Sequence, residues 1–176
     1  LRATKIANDP ANEKKIFTPG KYPDLRKKRL SVLAMTHLHM GHLIGATNDS
    51  TGQIFYYNES KKLAAESGDT GIVAFANMNL GSIYFDLGKL DSALQLEQTA
   101  LALMLKQKNG NIYIGSVYED IGNIYRKKED KTKAVENWLQ GIAWHKKQNH
   151  QRGIADICGA MTSFYMDEKN KDSSLY

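Results

Sequence analysis

Over residues 26–167 apolar side chains recur with the 3.6-residue period of a helix, and no stretch shows the two-residue alternation of a strand. The three prolines, Pro10, Pro19 and Pro23, all precede Asp24, so the periodic part lacks the residue that most strongly interrupts a helix. The pattern predicts an all-α body. Turn-forming residues cut it at 47–52, 87–91 and 128–131, and again at 68–71, 109–111 and 149–150. Glycine and asparagine at these breaks tolerate the left-handed conformation that closes a helix. The segments between them, about 15 residues each, are long enough for about four helical turns.

The breaks fall at a fixed period. Leu80-Gly81-Ser82-Ile83-Tyr84 recurs as Ile121-Gly122-Asn123-Ile124-Tyr125, and more faintly as Met40-Gly41-His42-Leu43-Ile44 and Met161-Thr162-Ser163-Phe164-Tyr165. With Gly41, Gly81, Gly122 and Thr162 as pivots, the intervals are 40, 41 and 40 residues. Twelve residues after the pivots stand Gln53, Ala93, Ala134 and Ser174; sixteen after come Tyr57, Glu97 and Trp138; nineteen after come Ser60, Ala100 and Gly141. A small residue lets a neighbouring backbone approach, and a large one fills the adjoining gap, as two packed helices require. Repeats are expected over about 33–67, 73–108, 114–148 and 154–176, the last cut short inside its second helix, so that residues 26–176 form one helix-pair array. Residues 1–25 read as the end of a preceding repeat helix, from Leu1 to Ala7, followed by an irregular insertion loop at 8–24. The start at Leu1, without a methionine or a signal segment, leads us to expect that the native N-terminus lies upstream.

This wording resembles the tetratricopeptide repeat (TPR), whose signature is an apolar-Gly pair, a tyrosine three residues on, and small residues in the second helix. The repeats pivoting on Gly81 and Gly122 match it well. The first carries Ile44 in place of the tyrosine and Gln53 in place of the first small residue, and the fourth has Thr162 as its pivot. The resemblance implies antiparallel helix pairs stacked in a right-handed superhelical solenoid with a concave inner face that receives a protein or peptide. A helical wheel separates the packing positions of each first helix from the opposite, inner set. The inner set gives candidate groove residues Met35, Leu38, His39 and His42 in the first repeat. The second supplies Phe75, Met78, Asn79, Ser82, Phe85 and Asp86, and the third Glu119, Asn123, Arg126 and Lys127. The surface so predicted is greasy at one end and polar at the other, suited to a peptide with an apolar anchor. Asn79 and Asn123 could pair with a ligand backbone, while Met78 and Phe85 could equally bury against a neighbouring helix. The carboxylate clamp of some chaperone-binding members is ruled out, because Phe75, Met78, Ser116 and Glu119 stand where its lysines belong.

Composition changes this picture little. Forty-one per cent hydrophobic and 24% charged residues are ordinary for a soluble globular chain, and the net charge of +5 is spread among 19 acids. The basic stretches at 26–29, 126–133 and 145–152 fall mostly at helix ends and turns, so no nucleic-acid partner is expected. No run approaches the roughly 18 apolar residues of a membrane span; a membrane would be reached only through parts of a parent protein outside this sequence. The single cysteine, Cys158, excludes an internal disulfide. It lies four residues before the Thr162 pivot, a packing position that predicts a buried, inert thiol. His37, His39 and His42 form the one histidine cluster; His39 and His42 could share a metal, but no Asp, Glu or Cys stands close in sequence to complete a set. Neither a phosphate loop, nor a nucleophile elbow, nor a metalloprotease pair is present. No metal, cofactor or catalytic residue is therefore expected.

The spacing, with the recurring Gly-Asn-Ile-Tyr at 122–125 and Gly-Ile-Ala at 153–155, resembles the arrays that precede the kinase core in bacterial two-component sensor histidine kinases. That resemblance implies a sensory region in signal transduction, receiving a peptide, a protein or a second copy of itself as a homodimer. The alternatives are a free-standing TPR adaptor or peptide-receptor regulator and, more distantly, a metal-dependent enzyme using His39 and His42.

Overall fold

Four helices start where an acidic side chain can replace a missing carbonyl. Asp24 accepts from Lys27 N at 3.0 Å, Asp49 from Gly52 N at 2.9 Å, Asp69 from Ile72 N at 3.1 Å and Asp130 from Lys133 N at 3.1 Å. Each bond satisfies one of the donors that a helix N-terminus leaves open. Left-handed residues supply most of the stops: Gly68 at φ 78° and Gly88 at φ 72°, with Asn48 and Asn149 in the same region. Glu129, at φ 62°, departs from the expected Gly/Asn rule. It occupies the left-handed position of a turn that Asp130 then stabilises by capping the next helix.

The structure, a computed structural model, describes residues 24–107 and 111–173. Seven helices and no strand occur among them: α1 Leu25–Gly45, α2 Ser50–Ser67, α3 Thr70–Asp86, α4 Leu90–Leu105, α5 Ile114–Lys127, α6 Lys131–Lys147 and α7 Gln151–Ser173. This is the all-α, helix-pair repeat that the period predicts. The expected helix end at 1–7 and all of the insertion loop before Asp24 lie outside the described residues, as does part of the 109–111 break. α7 runs from Gln151 to Ser173 without a turn, so no second helix of a fourth repeat begins within the described residues.

The chain divides into two compact bodies, the boundary falling within α3 between Leu80 and Gly81. In the first, Ala34, Ala64 and Ile72 form a buried cluster against which Leu63 and Val73 pack. Ser60, nineteen residues after its pivot, is fully buried and donates from Oγ to the Ala34 carbonyl at 2.8 Å. Its size lets the α1 backbone come that close. In the second body α5 packs against α4, α6 and α7. Ala134, Trp138, Ile157 and Phe164 make its core, with the Trp138 and Phe164 rings edge to face at 5.7 Å. Gly141 lies against the Gly115 carbonyl, which a Cβ would meet at 2.9 Å. Backbone approach therefore occurs at the nineteenth position, as small residues there predicted.

At the pivots the space is used differently from the expectation. A Cβ on Gly41 would strike the Tyr57 ring, one on Gly81 the Glu97 carboxylate, and one on Gly122 the Trp138 indole at 2.5 Å. Each pivot glycine thus houses the side chain sixteen residues on, rather than admitting a neighbouring backbone.

Two further expectations need correction. Leu38 is buried, because the apolar arc of α1, with Leu30, Leu33, Ala34 and Gly41, is wider than one stripe. Cys158 is exposed: Ile157 and Phe164 carry the packed side of α7, and the thiol stands off it.

Candidate binding surface

In the first body the inner-set residues of α1 and α3 are brought together in part. His42 Nε2 lies 3.1 Å from Asn79 Oδ1, and Asn79 Nδ2 donates to the Phe75 carbonyl at 2.7 Å. Asn79 is therefore engaged at both ends of its amide, which leaves less of it for a ligand backbone than its position suggests. Met35, His39 and His42 are exposed; Phe75, Met78 and Asn79 are half-buried. Leu38 belongs to the core and offers no ligand contact. The histidines part company: His37 Nδ1 sits 2.9 Å from the Leu33 carbonyl, while the His39 and His42 rings stand 6.4 Å apart on the open face. Among the described residues no group of three or more His, Cys, Asp or Glu is placed to hold a metal ion.

The second body carries the remaining predicted residues. Ser82, Phe85 and Asp86 come from the last turns of α3, and Glu119, Asn123, Arg126 and Lys127 from α5. Lys127 Nζ lies over the Phe85 ring at 4.2 Å, a cation–π contact. Asn123 Oδ1 accepts from Trp138 Nε1 at 3.2 Å, so this amide is fixed by the core and only its NH2 end remains for other contacts. A cavity of about 30 Å³ is lined by Ser82, Phe85, Glu97, Asp120, Asn123 and the Gly81 backbone.

Glu97 is the residue whose chemistry sequence reasoning passed over. It shares its register with Tyr57 and Trp138 and was read as one more space-filling side chain. It is fully buried, and neither carboxylate oxygen has a hydrogen-bond partner. Burial pushes its pKa well above the ordinary carboxylate value, and the neighbouring Asp120 adds to the effect. Asp120 is itself raised from 3.8 to about 7, by burial and then by Glu119 and Asp86. Glu119 rises for the same first reason, with Asp156 contributing. The signal was available: an acid stands where the other two repeats carry an aromatic ring.

His145, inside the basic stretch at 145–152, is also fully buried, against Gly115 and Gly153. Burial and His150, whose Nδ1 is 3.1 Å from His145 Nδ1, lower its pKa.

Farther along, an open cleft of about 490 Å³ is bordered by Arg126, Lys127, Lys131, Asp167 and Glu168 over Phe164. Its charges are largely matched within the chain: Arg126 pairs with Asp167 at 2.7 Å and Lys131 with Glu168. Such exposed pairs contribute little stability.

Comparison with known proteins places the fold. A family model for the tetratricopeptide repeat matches residues 76–103, within the helix pair that pivots on Gly81. The structure is similar to the crystal structure of BtubC (BKLC) from P. vanneervenii, with a TM-score of 0.59 and 18% sequence identity over 83% of this chain. The similarity covers 54% of that chain, so the present one spans about half its length. No curated protein matches by sequence. A TPR-like repeat array is thus supported at both the sequence and the structural level. Among the described residues no helix is long and apolar enough to cross a membrane.

Proposed function

We propose that this chain is a protein- or peptide-binding scaffold, acting without catalysing a reaction, and that its partner is received on first-helix surfaces of the repeats. The observation that carries this reading is the contrast along those helices. Gly41, Asn77, Leu80, Gly81, Ile121 and Gly122 at the packing positions are buried, while at the opposite positions Met35, His39, His42, Ser82 and Asp86 are exposed and Phe75, Met78, Phe85 and Asn123 half-buried. Accessible aromatic and sulfur-containing side chains beside amides are what a peptide groove uses for anchoring and for backbone pairing. The tetratricopeptide match over residues 76–103 supports the same class of function. Within that class the 122–125 wording favours the sensory region of a two-component sensor histidine kinase, where a bound partner would change the state of a kinase module.

Selection of a displayed random peptide library against the purified chain tests the binding surface. Replacing Met78, Asn79 and Asn123 together with alanine is expected to weaken capture of a selected peptide at least tenfold while the chain stays helical. Undiminished capture would move recognition to another face. The signalling context is tested separately, by autophosphorylation of the full-length gene product with and without the selected peptide. Loss of the peptide's effect in the triple variant is the expected result.

A further inference from the structure

We propose that Glu97 and Asp120, with Ser82, form a receptor for one primary ammonium group, the lysine head of a bound peptide. The inference rests on the scaffold reading and names the partner chemistry at one of its surfaces.

The first observation is Glu97 itself. Its side chain is fully buried, both oxygens lack partners, and it lines a cavity rather than packing against apolar atoms on all sides. Buried carboxylates are almost always satisfied in a native fold, so an unpartnered one calls for a specific explanation. Packing does not supply it. The same register holds Tyr57 and Trp138 in the other repeats, each seated against its pivot glycine, so the fold accepts an aromatic ring there without difficulty.

The second observation is the size and lining of the cavity. About 30 Å³ is room enough for one water or one –NH3+ group. An ammonium presents three donors and no acceptor. The carboxylates of Glu97 and Asp120 and the Ser82 hydroxyl are acceptors on three different helices, α4, α5 and α3, at the wall of one cavity. Asn123 is held by Trp138 and keeps the α5 wall in place.

The third observation is the surrounding charge. Asp86 and Glu119 add to the negative field at Asp120, and Asp120 to that at Glu97. Among the described residues none of these four acids is joined to a lysine or arginine by a salt bridge. Lys127 Nζ lies over the ring of Phe85, one of the residues that line the cavity. A metal ion is a poorer fit, since no group of three possible ligands occurs among the described residues.

The test uses n-butylammonium chloride as probe on the 15N-labelled chain. Saturable shifts are expected in the backbone amides of Gly81, Ser82 and Asn123. Tetramethylammonium, which has no N–H donor, and sodium chloride at equal ionic strength should not reproduce them. Glu97→Gln should weaken the response at least tenfold. Asp120→Asn, at the more accessible edge, does the same in a second variant should the first fold poorly. A response equal to that of sodium chloride, or one that persists in both folded variants, overturns the receptor. Displayed-peptide selection then separates the two levels. Lysine-enriched sequences lost with Glu97→Gln support the inference. Captured sequences with no lysine preference overturn it and leave the scaffold standing. If no peptide is captured, the scaffold reading fails, and the butylammonium titration still decides the receptor.

Discussion

Two pockets of the second body share one design and differ in what fills them. At Gly122 the absent Cβ makes room for the Trp138 indole, which is fully buried, stacks edge to face on Phe164 and ties its N–H to Asn123. At Gly81 the same absence, at the same spacing, makes room for the Glu97 carboxylate, which is equally buried and hydrogen-bonds to nothing. One pocket contributes apolar burial and aromatic packing; the other bears an unreturned desolvation cost. The repeat therefore fixes the shape of a position and leaves its chemistry free. A position the fold fills with aromatic rings elsewhere becomes, with an acid in it, the best candidate for recognition.

The sharpest way to break this comparison is to restore the missing Cβ. In Gly122→Ala the new methyl meets Trp138 Cδ1 at 2.5 Å and Nε1 at 2.6 Å, atoms of a rigid ring boxed in by Phe164. A loss of about 1–3 kcal/mol in denaturant melts is expected, net of any gain in helix propensity. In Gly81→Ala the methyl meets the far end of a flexible Glu97 chain, which can swing away. There the change should stay within about 0.5 kcal/mol of wild type, propensity offsetting the adjustment. Equal losses at the two sites would show that the backbones, not the occupants, define both pockets.

A pH series sharpens the comparison next. A carboxyl whose folded pKa is raised gives stability that is whole below its ordinary value and is lost as pH climbs through the folded value. For Asp120 that window runs from 3.8 to about 7, and Glu97 shifts in the same direction. Glu97→Gln should accordingly match wild type in Tm near pH 4 and exceed it by a few degrees near pH 8. His145 works in the opposite sense. Its lowered pKa gives stability that is present above the ordinary histidine value of 6.5 and is lost as pH falls through the folded value. His145→Gln should therefore flatten the acid side of the curve and leave the basic side to the acids. A Tm gain for Glu97→Gln that is the same at both pH values would mean the carboxylate is not the source of the cost.

The smallest effect concerns Asn123. Removing it leaves the Trp138 N–H without its acceptor, so Asn123→Ala should cost about 1 kcal/mol in thermal melts. A neutral result would show that the amide serves the groove alone and that the indole finds another partner.

Much of the fold was legible in the sequence because periodicity is a local property. The pivots, their 40-residue spacing and the large residues sixteen positions on were all readable, and the described helices follow them. The caps were a signal that the periodicity reading passed over: Asp24, Asp49, Asp69 and Asp130 stand just ahead of the helices they cap. The binding surface was legible only as a set of positions. Asn79 and Asn123 lay at the right places, but their hydrogen bonds to His42, Phe75 and Trp138 arise from residues distant in sequence or from the helix itself.

A repeat pattern fixes which residues of a helix share a face, since that depends only on rotation per residue. How deeply a face is buried, and whether a polar atom on it finds a partner, depends on every helix packed around it, and only the tertiary structure supplies those neighbours. For that reason the sequence by itself determined the helix pairs, their turns and the register in which Tyr57, Glu97 and Trp138 meet their glycines. The tertiary structure decided the rest: that Leu38 and His145 are core, that Cys158 is exposed, and that Glu97 lies dry and unpartnered on a cavity wall.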